Sequence, residues 1–424
     1  MDKQLYKIKK NKVAKFLTLL LFLTITHPVN ADKSYSIYLD ADFTGTKVAS
    51  MSIQQGINVA LAEENYRING YQFEVIIKDH KGNSLRSKRN LEGFLADSNA
   101  LLLFSGLHSP PLLAHKDFIN NNNILVLNPW AAAGPITRST VENNWIFRLS
   151  IDDSNAGSFI SKYAIKEGFK KPFLLLEDTG WGRSNNSTMT KSLAVNNIKP
   201  TGVAWFNWGL GINHAKILLR QAKSSGADVI FFVGNANEGK IFAKAMLALE
   251  IELKLPIRSH WGITGGDFID VINSEKRKKL DLQFIQTRFS FITQPQSLLA
   301  QKVLSHAITM YPEIKTAKDI KAPTGFIHAY DLTKLLIAAI KQTGLTGDKN
   351  DDKKAIKRAL EQLDLPVQGL IKYYKTPFSA YTLDNINAHE ALNESDYAMG
   401  YYQADNSVTL LPSIALTKVV NEKN

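Results

Sequence analysis

Short apolar runs alternate with runs of helical periodicity from residue 35 onward, and this alternation restricts the fold more than any other feature. In MSIQQGINVALAEEN the apolar residues Ile53, Ile57 and Leu61 lie on one helical face. Other runs have the length and composition of buried strands: YSIYL (35–39), FEVIIKD (73–79), ALLLF (100–104) and ILVLNP (124–129). Strands that alternate with helices pair in parallel through right-handed crossovers. The pattern therefore predicts an α/β fold built on doubly wound parallel sheets.

The same alternation begins again after residue 150. A helical segment at 154–168 is followed by further apolar runs: KPFLLLED (171–178), VAWFNW (203–208), ADVIFFVG (227–234) and KLPIRSHW (254–261). A chain of 424 residues is also too long for one ordinary core. Two successive modules therefore predict two lobes, and the less regular remainder contributes helices and late strands.

The turns that follow the predicted strands have a shared composition of glycine, proline, small residues and a few polar side chains. They are DADFTG, SGLHSPP, NPWAAAG, EDTGWGR, GNANEG and SHWGITGGD. In open parallel sheets, ligands bind beyond the carboxyl ends of the strands. Three of these turns carry Trp130, Trp181 and Trp261. An aromatic-walled cleft with few hydrogen-bonding groups is typical of a small-molecule site.

The stretch SHWGITGGDF, residues 259–268, places three glycines just after an aromatic pair. A phosphate-binding loop is disfavoured, because the lysine and the GxxxxGK[ST] spacing are absent. A purely structural turn and a cleft wall both fit. We favour the wall, in which the glycines turn the backbone and Trp261 offers a face to an aromatic or cationic ligand. Trp145, Trp205 and Trp208 are instead predicted to lie in the core or on the surface.

The first 31 residues are expected to be an export signal. A lysine-rich start precedes the apolar run FLTLLLFLTIT, and HPVNA then ends with Val29 and Ala31 at the positions that signal peptidase reads. An amphipathic helix is the alternative, but the lysines precede the apolar run instead of lining one face. The chain has no cysteine, so a lipid anchor, disulfides and cysteine metal sites are excluded. We expect a soluble periplasmic protein cut after Ala31.

Charge and motifs exclude several other classes of function. The net charge of +12 comes partly from the lysine-rich start, and no basic block interleaved with aromatics follows it, so no nucleic-acid surface is predicted. No GxSxG, HExxH or cysteine nucleophile is present, which argues against an enzyme. No cofactor and no metal site are predicted.

The ordered set of turns resembles a known family. DADFTGTKVASMSIQQGINVALAEEN, LFSGLHSPPLLA, ILVLNPWAAAGPIT, FRLSIDDSNAG and LLLEDTGWGRS together resemble the type I periplasmic binding proteins, the leucine/isoleucine/valine-binding receptors of ABC transporters. The resemblance covers nearly all of residues 32–420. It implies two doubly wound lobes that are joined by three hinge crossings and close on a ligand. Lobe 1 is expected at 32–148 and about 291–365, and lobe 2 at 149–290 and about 366–420.

The resemblance also implies a binding site. A hydroxyl that meets the ligand carboxylate in amino-acid binders falls on Ser109, and the backbone N–H groups that assist it belong to Ala131 and Ala132. The aromatic residue of the second lobe falls on Trp181. An acid that often helps to hold the ligand ammonium falls on Asp153.

Three positions depart from the amino-acid-binding pattern. Asn235 stands where tyrosine is frequent, Trp261 where the leucine group has its ammonium-binding acid, and Ala132 where a threonine hydroxyl is common. The departures at Trp261 and Ala132 argue against a plain aliphatic α-amino acid, and the three cleft tryptophans favour a ligand with an aromatic or cationic part, or an amide. Further residues of the cleft turns fit either a ligand contact or a structural role: His108, His260, Asp40 and Asp42.

The prediction is therefore an exported, monomeric solute receptor that closes on a small polar organic ligand and delivers it to an ABC permease of the inner membrane. A periplasmic sensory subunit, which signals to a membrane receptor or sensor kinase, is the alternative that the sequence leaves open. An enzyme on the same fold is the weaker alternative.

Overall fold

The computed structural model describes residues 33–293 and 295–412, and the expected export signal with its cleavage site at Ala31 lies outside them. The strands of the described chain fall into two large sheets and one short hairpin. In chain order they are β1 Ser34–Ala41, β2 Arg67–Ile68, β3 Tyr71–Asp79, β4 Ala100–Ser105, β5 Val126–Asn128, β6 Ile146–Arg148, β7 Pro172–Glu177, β8 Gly202–Phe206, β9 Val229–Val233, β10 Ile257–Ser259, β11 Leu282–Thr287, β12 Val367–Gln368, β13 Tyr373–Tyr374, β14 Tyr397–Tyr402 and β15 Val408–Leu410.

The α-helices lie between these strands, as the alternating pattern predicts. They are α1 Lys47–Ala62, α2 Ser84–Ala96, α3 Ser109–Asn121, α4 Asp153–Lys166, α5 Gly180–Val195, α6 Ile212–Ser224, α7 Ala236–Leu247, α8 Phe268–Val271, α9 Ser274–Arg277, α10 Leu298–Met310, α11 Pro323–Thr343 and α12 Lys349–Glu361. Short 3₁₀ helices occupy Gly134–Ile136, Ile251–Leu253, Trp261–Thr264, Ala317–Asp319 and Glu394–Asp396. Among the described helices, none has the length and hydropathy needed to cross a membrane.

The first sheet has the strand order β2-β3-β1-β4-β5-β6, and its pairs are parallel except for β2 with β3. The second has the order β15-β14-β11-β10-β9-β7-β8, in which β7 to β11 are parallel and the last two strands are antiparallel. Strands such as β4, β7 and β9 are buried along their whole length. Such continuous apolar strands are expected where helices cover both faces of a parallel sheet.

The chain passes between the two sheets three times. It leaves the first sheet through residues 149–152, returns between β11 and α10, and leaves again between β13 and β14. Between the second and third passages, α10 and α11 pack on α1, and α12 contacts β4. The hairpin β12–β13 is fixed to α11, because the carboxylate of Asp331 accepts the N–H groups of Leu370 and Ile371. The exact lobe boundaries stay a prediction.

Candidate functional site

The turns SGLHSPP and NPWAAAG meet at the start of α3. Ser109 is the first residue of this helix and is 4% exposed, and its Oγ accepts the N–H of Ala133 at 3.2 Å. The prolines that follow it suit the first helical turn, where no N–H partner is needed. The turns are tied to the second lobe as well, since the carbonyl of Ala132 accepts the N–H of Asp153 at 3.0 Å. The structure thus brings Ser109, the alanines at 131 and 132, and Asp153 together.

Two tryptophans from opposite lobes fill the inner part of the cleft. Trp130 and Trp261 are each 1% exposed, and their ring centroids lie 5.9 Å apart with a 56° angle between the planes. Trp130 packs on α11 at Gly325, where an added Cβ would come within 2.6 Å of the indole. The Trp261 ring lies 4.9 Å from that of His328, also on α11. Both rings therefore lie between the lobes, as expected for cleft walls, and are packed on the hinge side.

Trp181 and His260 converge on one carboxylate oxygen. The indole N–H of Trp181 donates to Oδ1 of Asp153 at 3.2 Å, and Nε2 of His260 lies 3.1 Å from the same oxygen without hydrogen-bond geometry. Because Nδ1 of His260 accepts the N–H of Trp261, we assign the ring proton to Nε2. Oδ2 of Asp153 has no hydrogen-bond partner, and burial raises the pKa of this carboxyl against the lowering effect of His260.

The glycines of SHWGITGGDF allow these rings to approach. A Cβ at Gly262 would lie 2.6 Å from Cη2 of Trp181 and 2.7 Å from the carbonyl oxygen of Gly234. A Cβ at Gly265 would lie 2.9 Å from Cδ1 of Leu107 in the first lobe. The glycines therefore serve close packing around the cleft, which agrees with the interpretation of this stretch as a cleft wall.

Open space remains at the mouth of the cleft. Two cavities of about 330 and about 240 Å³ share Gly45, Thr46, Asn235 and Asn237 in their linings. The first of these, which we call the outer chamber, is lined by Asp42, Gly45, Thr46, Lys81, Gly82, His108, Trp208, Gly209, Asn235, Asn237 and Glu238.

The wall of the outer chamber in the first lobe is held by one carboxylate. Oδ2 of Asp42 lies 3.2 Å from Nε2 of His108, and its Oδ1 accepts the N–H groups of Thr44 and Gly45. Asp42 and His108, both proposed from the sequence, therefore lie together beside the remaining opening. Within residues 33–293 and 295–412, no group of acidic and histidine side chains could hold a metal ion.

Comparison with known proteins agrees with this architecture. The sequence profile of the family described as periplasmic binding protein matches residues 41–378. The chain belongs to the periplasmic binding protein family. The resemblance inferred from the ordered turns and the two-lobed α/β fold are thereby confirmed. Members of this family are binding proteins and not enzymes, and the family implies a periplasmic location.

Individual relatives are distant. The Leu/Ile/Val-binding protein homolog 3 of Brucella melitensis is 23% identical over 251 residues, which are 58% of this chain and 60% of that relative, so less than two thirds of the relative is matched. The periplasmic binding protein type 1 of Bordetella pertussis has a TM-score of 0.73 at 16% identity, covering 90% of this chain and all of the other (100%).

Two solved structures of the same fold carry ligands. A solute-binding protein of an ABC transporter from R. palustris, in complex with 4-hydroxybenzoate, has a TM-score of 0.71 at 16% identity, covering 91% of this chain and 100% of the other. A branched-chain amino acid transporter substrate binding protein from Streptococcus pneumoniae, in complex with isoleucine, has a TM-score of 0.71 at 19% identity, covering 89% and 99%. Identities this low show the fold alone.

The structure of this binding protein reveals a tryptophan whose position the sequence analysis missed. Trp208 follows β8 and is 40% exposed, and its ring centroid lies 4.9 Å from that of His108 in the other lobe. It therefore stands at the cleft mouth instead of the core or the outer surface. The rule that ligands bind beyond strand ends could have identified it, because β8 ends only two residues earlier. Trp145 is buried and Trp205 half-buried, as predicted.

A buried acid, Glu177, was also missed. It ends β7 and accepts hydrogen bonds from the amide of Asn235 at 3.1 Å and the hydroxyl of Thr179 at 3.1 Å. Burial raises the pKa of Glu177 to about 7, against the lowering effect of the neighbouring Trp208 indole, and the nearby carboxylate of Glu238 raises it further. Glu177 thus lies behind Asn235 and Trp208, two residues that line the outer chamber, and helps to position them. The role of each predicted site residue in ligand binding stays a prediction.

Proposed function

We propose that this periplasmic binding protein is a transport receptor that closes on a small polar organic solute and delivers it to an ABC permease. The observation that carries the proposal is Oδ2 of Asp153, a buried carboxylate oxygen between the lobes without a hydrogen-bond partner, beside the His260 ring that pairs with Oδ1 of the same carboxylate at 3.1 Å. Both residues are 0% exposed. A buried polar atom without a partner costs about 1–3 kcal/mol, so a ligand that supplies the missing hydrogen bonds stabilises the site.

The first-lobe side of the site, at Ser109, suits an anionic or amide group of the ligand. Because Oγ of Ser109 accepts the N–H of Ala133, its own O–H is left to donate. It lies at the amino-terminal end of α3, where the helix dipole favours negative charge. Solutes with a carboxylate at one end and a polar or aromatic body at the other match both ends.

The family's solved complexes support a carboxylate-bearing solute and leave its body open. The R. palustris protein is in complex with 4-hydroxybenzoate and the Streptococcus pneumoniae protein with isoleucine, and both ligands have a carboxylate. In this chain, Trp261 and Ala132 replace the groups that the leucine-binding pattern uses for an ammonium. Three indoles instead favour a ligand with an aromatic or cationic part.

Closure is part of the proposed mechanism. Several polar contacts already join the lobes, such as the N–H of Gly134 with Oγ of Ser184 at 3.0 Å, and Nδ2 of Asn237 with the carbonyl of Gly45 at 3.3 Å. A ligand shifts the open and closed populations only by the difference between its affinities for the two forms. Contacts with residues of both lobes, such as Ser109 and Trp181, supply that difference.

The test is thermal unfolding of residues 32–424 with a panel of amino acids, amides, aromatic acids and quaternary amines. A solute at about one hundred times its dissociation constant stabilises the folded state by roughly 2.7 kcal/mol, which raises Tm by several degrees. Ser109→Ala and Trp181→Ala are expected to remove most of that shift. Ser224→Ala, an exposed serine of α6, is the matched control. Unchanged affinity in both site variants would show that the ligand binds elsewhere.

A further inference from the structure

The outer chamber contains a carboxylate oxygen that no group of the described chain satisfies. Glu238 lies in the first turn of α7 and is only 6% exposed. Its Oε1 accepts the N–H of Gly209 at 3.2 Å, whereas Oε2 makes no hydrogen bond or ion pair within residues 33–293 and 295–412. The side chain lines the chamber of about 330 Å³. The oxygen is not enclosed by protein, so a donor that enters the chamber can reach it.

The indole beside this carboxylate is held in place by the protein. The Trp208 indole lies close enough to Glu177 to lower the pKa of its carboxyl, and the next residue, Gly209, donates its N–H to Glu238. The loop after β8 is thus fixed to two buried acids while the Trp208 ring stays 40% exposed at the cleft mouth. A large aromatic side chain that is anchored and yet exposed in a cavity is a ready surface for a ligand.

The other charged groups of the chamber do not neutralise Glu238. Asp42 is engaged by its own loop and by His108. Lys240 of the adjoining cavity pairs with Asp267 at 2.5 Å. Lys81 lines the chamber but is exposed to solvent, and no ion pair joins it to Glu238 in the described chain. A cation from outside is therefore the natural partner of the free oxygen.

We propose that the outer chamber, between the carboxylate of Glu238 and the indole of Trp208, is a subsite for an ammonium or guanidinium group at the far end of the ligand. This deepens the proposed function and rests on it, since the rest of the ligand occupies the inner cleft. A carboxylate next to a tryptophan face attracts an organic cation through both charge and cation–π attraction. The chamber is many times larger than the roughly 30 Å³ that one water occupies, so it has room for either group.

The experiment compares pairs of solutes that differ at the distal group: arginine with citrulline, whose ureido group is neutral, and lysine with norleucine, which lacks the distal ammonium. Each is titrated calorimetrically into residues 32–424. We expect the cationic member of at least one pair to bind ten-fold or more tightly than its neutral counterpart. Glu238→Gln removes that preference but keeps an oxygen for Gly209, and Trp208→Leu weakens the cationic member more than the neutral one. Glu252→Gln, an exposed glutamate of the same lobe, leaves the preference unchanged.

Four results overturn the subsite. Equal affinity of the two members of each pair would show that the distal cation makes no favourable contact. A preference for the cationic member that survives Glu238→Gln would show that the cation binds away from Glu238. If isoleucine or 4-hydroxybenzoate binds while no cationic member gains over its neutral counterpart, the proposed function stands and the subsite fails. If no solute of either kind binds, both fail. Circular dichroism and Tm of each variant show that the fold is retained.

Discussion

Arg148 and Glu390 join two of the three chain passages through a buried ion pair, with Nη2 of the arginine 2.6 Å from Oε1 of the glutamate. Arg148 is 0% exposed, ends β6, and also binds Oδ1 of Asp152 at 2.9 Å in the first passage. Glu390 lies in the third passage, and the backbones meet too, because the N–H of Ala391 donates to the carbonyl of Arg148. The two passages are thus fixed to each other by a buried ion pair and a backbone hydrogen bond.

The Glu390→Gln substitution is expected to lower the free energy of unfolding by about 3 kcal/mol, because it leaves part of the charge of Arg148 buried without its partner. Urea denaturation followed by circular dichroism measures the loss. The control is Glu275→Gln, which removes an exposed pair with Lys278 and should leave the denaturation midpoint unchanged. Equal effects of the two substitutions would mean that the hinge pair adds nothing beyond a surface contact.

Two helical glycines should respond to alanine with opposite signs. At Gly56 in α1, a Cβ would lie 2.2 Å from the carbonyl oxygen of Phe326 in α11, so Gly56→Ala forces the helices apart and costs about 1–3 kcal/mol. At Gly93 in α2, a Cβ would meet nothing within 4 Å, so Gly93→Ala stabilises by about 0.5–1 kcal/mol through helix propensity. Denaturation midpoints of both variants measure this, and a shared sign would contradict the close α1–α11 contact.

The sequence predicts the sheets and part of the site for a simple physical reason. Strands such as β4 and β9 are buried on both faces, and therefore appear as continuous apolar runs. Their carboxyl ends must meet at one edge of each sheet, which brings Trp130, Trp181 and Trp261 to the cleft. Which atoms remain unpartnered in that cleft depends on contacts between distant segments, and no local pattern records them.

Glu177 and Glu238 illustrate that limit. Glu177 belongs to an apolar strand by its pattern, and Glu238 to the first turn of a helix, where acids are common for reasons of capping. Their role at the cleft becomes visible only through their neighbours Asn235 and Trp208, which belong to two other turns of the chain. Trp208 is a different case: its place just after β8 could have assigned it to the cleft, and only the contact of its ring with His108 needed the packed lobes to be seen.

Gly265→Val should disfavour the closed arrangement of the lobes without unfolding them. Its side chain would enter the space of Leu107, whose Cδ1 lies 2.9 Å from an ideal Cβ at this position, and of Trp130 at 3.2 Å, both in the other lobe. Small-angle X-ray scattering should show a larger radius of gyration, and the ligand affinity should fall about ten-fold or more through the smaller closed population. Gly211→Val, where a Cβ meets nothing within 4 Å, is the control and should leave both quantities unchanged.

Glu177 should make the stability of the protein depend on pH near neutrality. Its folded pKa, about 7, is raised above its ordinary 4.5 by burial, so its contribution is fully present below pH 4.5 and is lost as the pH rises through 7. The shift corresponds to a loss of up to ~3 kcal/mol across that window. Glu177→Gln cannot ionise, so the variant should gain stability relative to the native protein between pH 5 and pH 8.

The quantity to measure is the difference in the free energy of unfolding between Glu177→Gln and the native protein. Burial also raises the pKa values of Asp40 and Asp331 to about 6, but these two groups titrate in both proteins, so their contributions cancel in the difference. Urea denaturation at pH 5 and pH 8 gives this difference directly. The amide of the variant brings a pH-independent change of its own, since it replaces an acceptor of the hydrogen bonds from Thr179 and Asn235 with a donor. That change shifts the stability difference at pH 5 and at pH 8 by the same amount, so the change of the difference with pH is unaffected. A difference that stays constant with pH would show that Glu177 is already ionised at pH 5, and that its buried position is compensated by the donors around it.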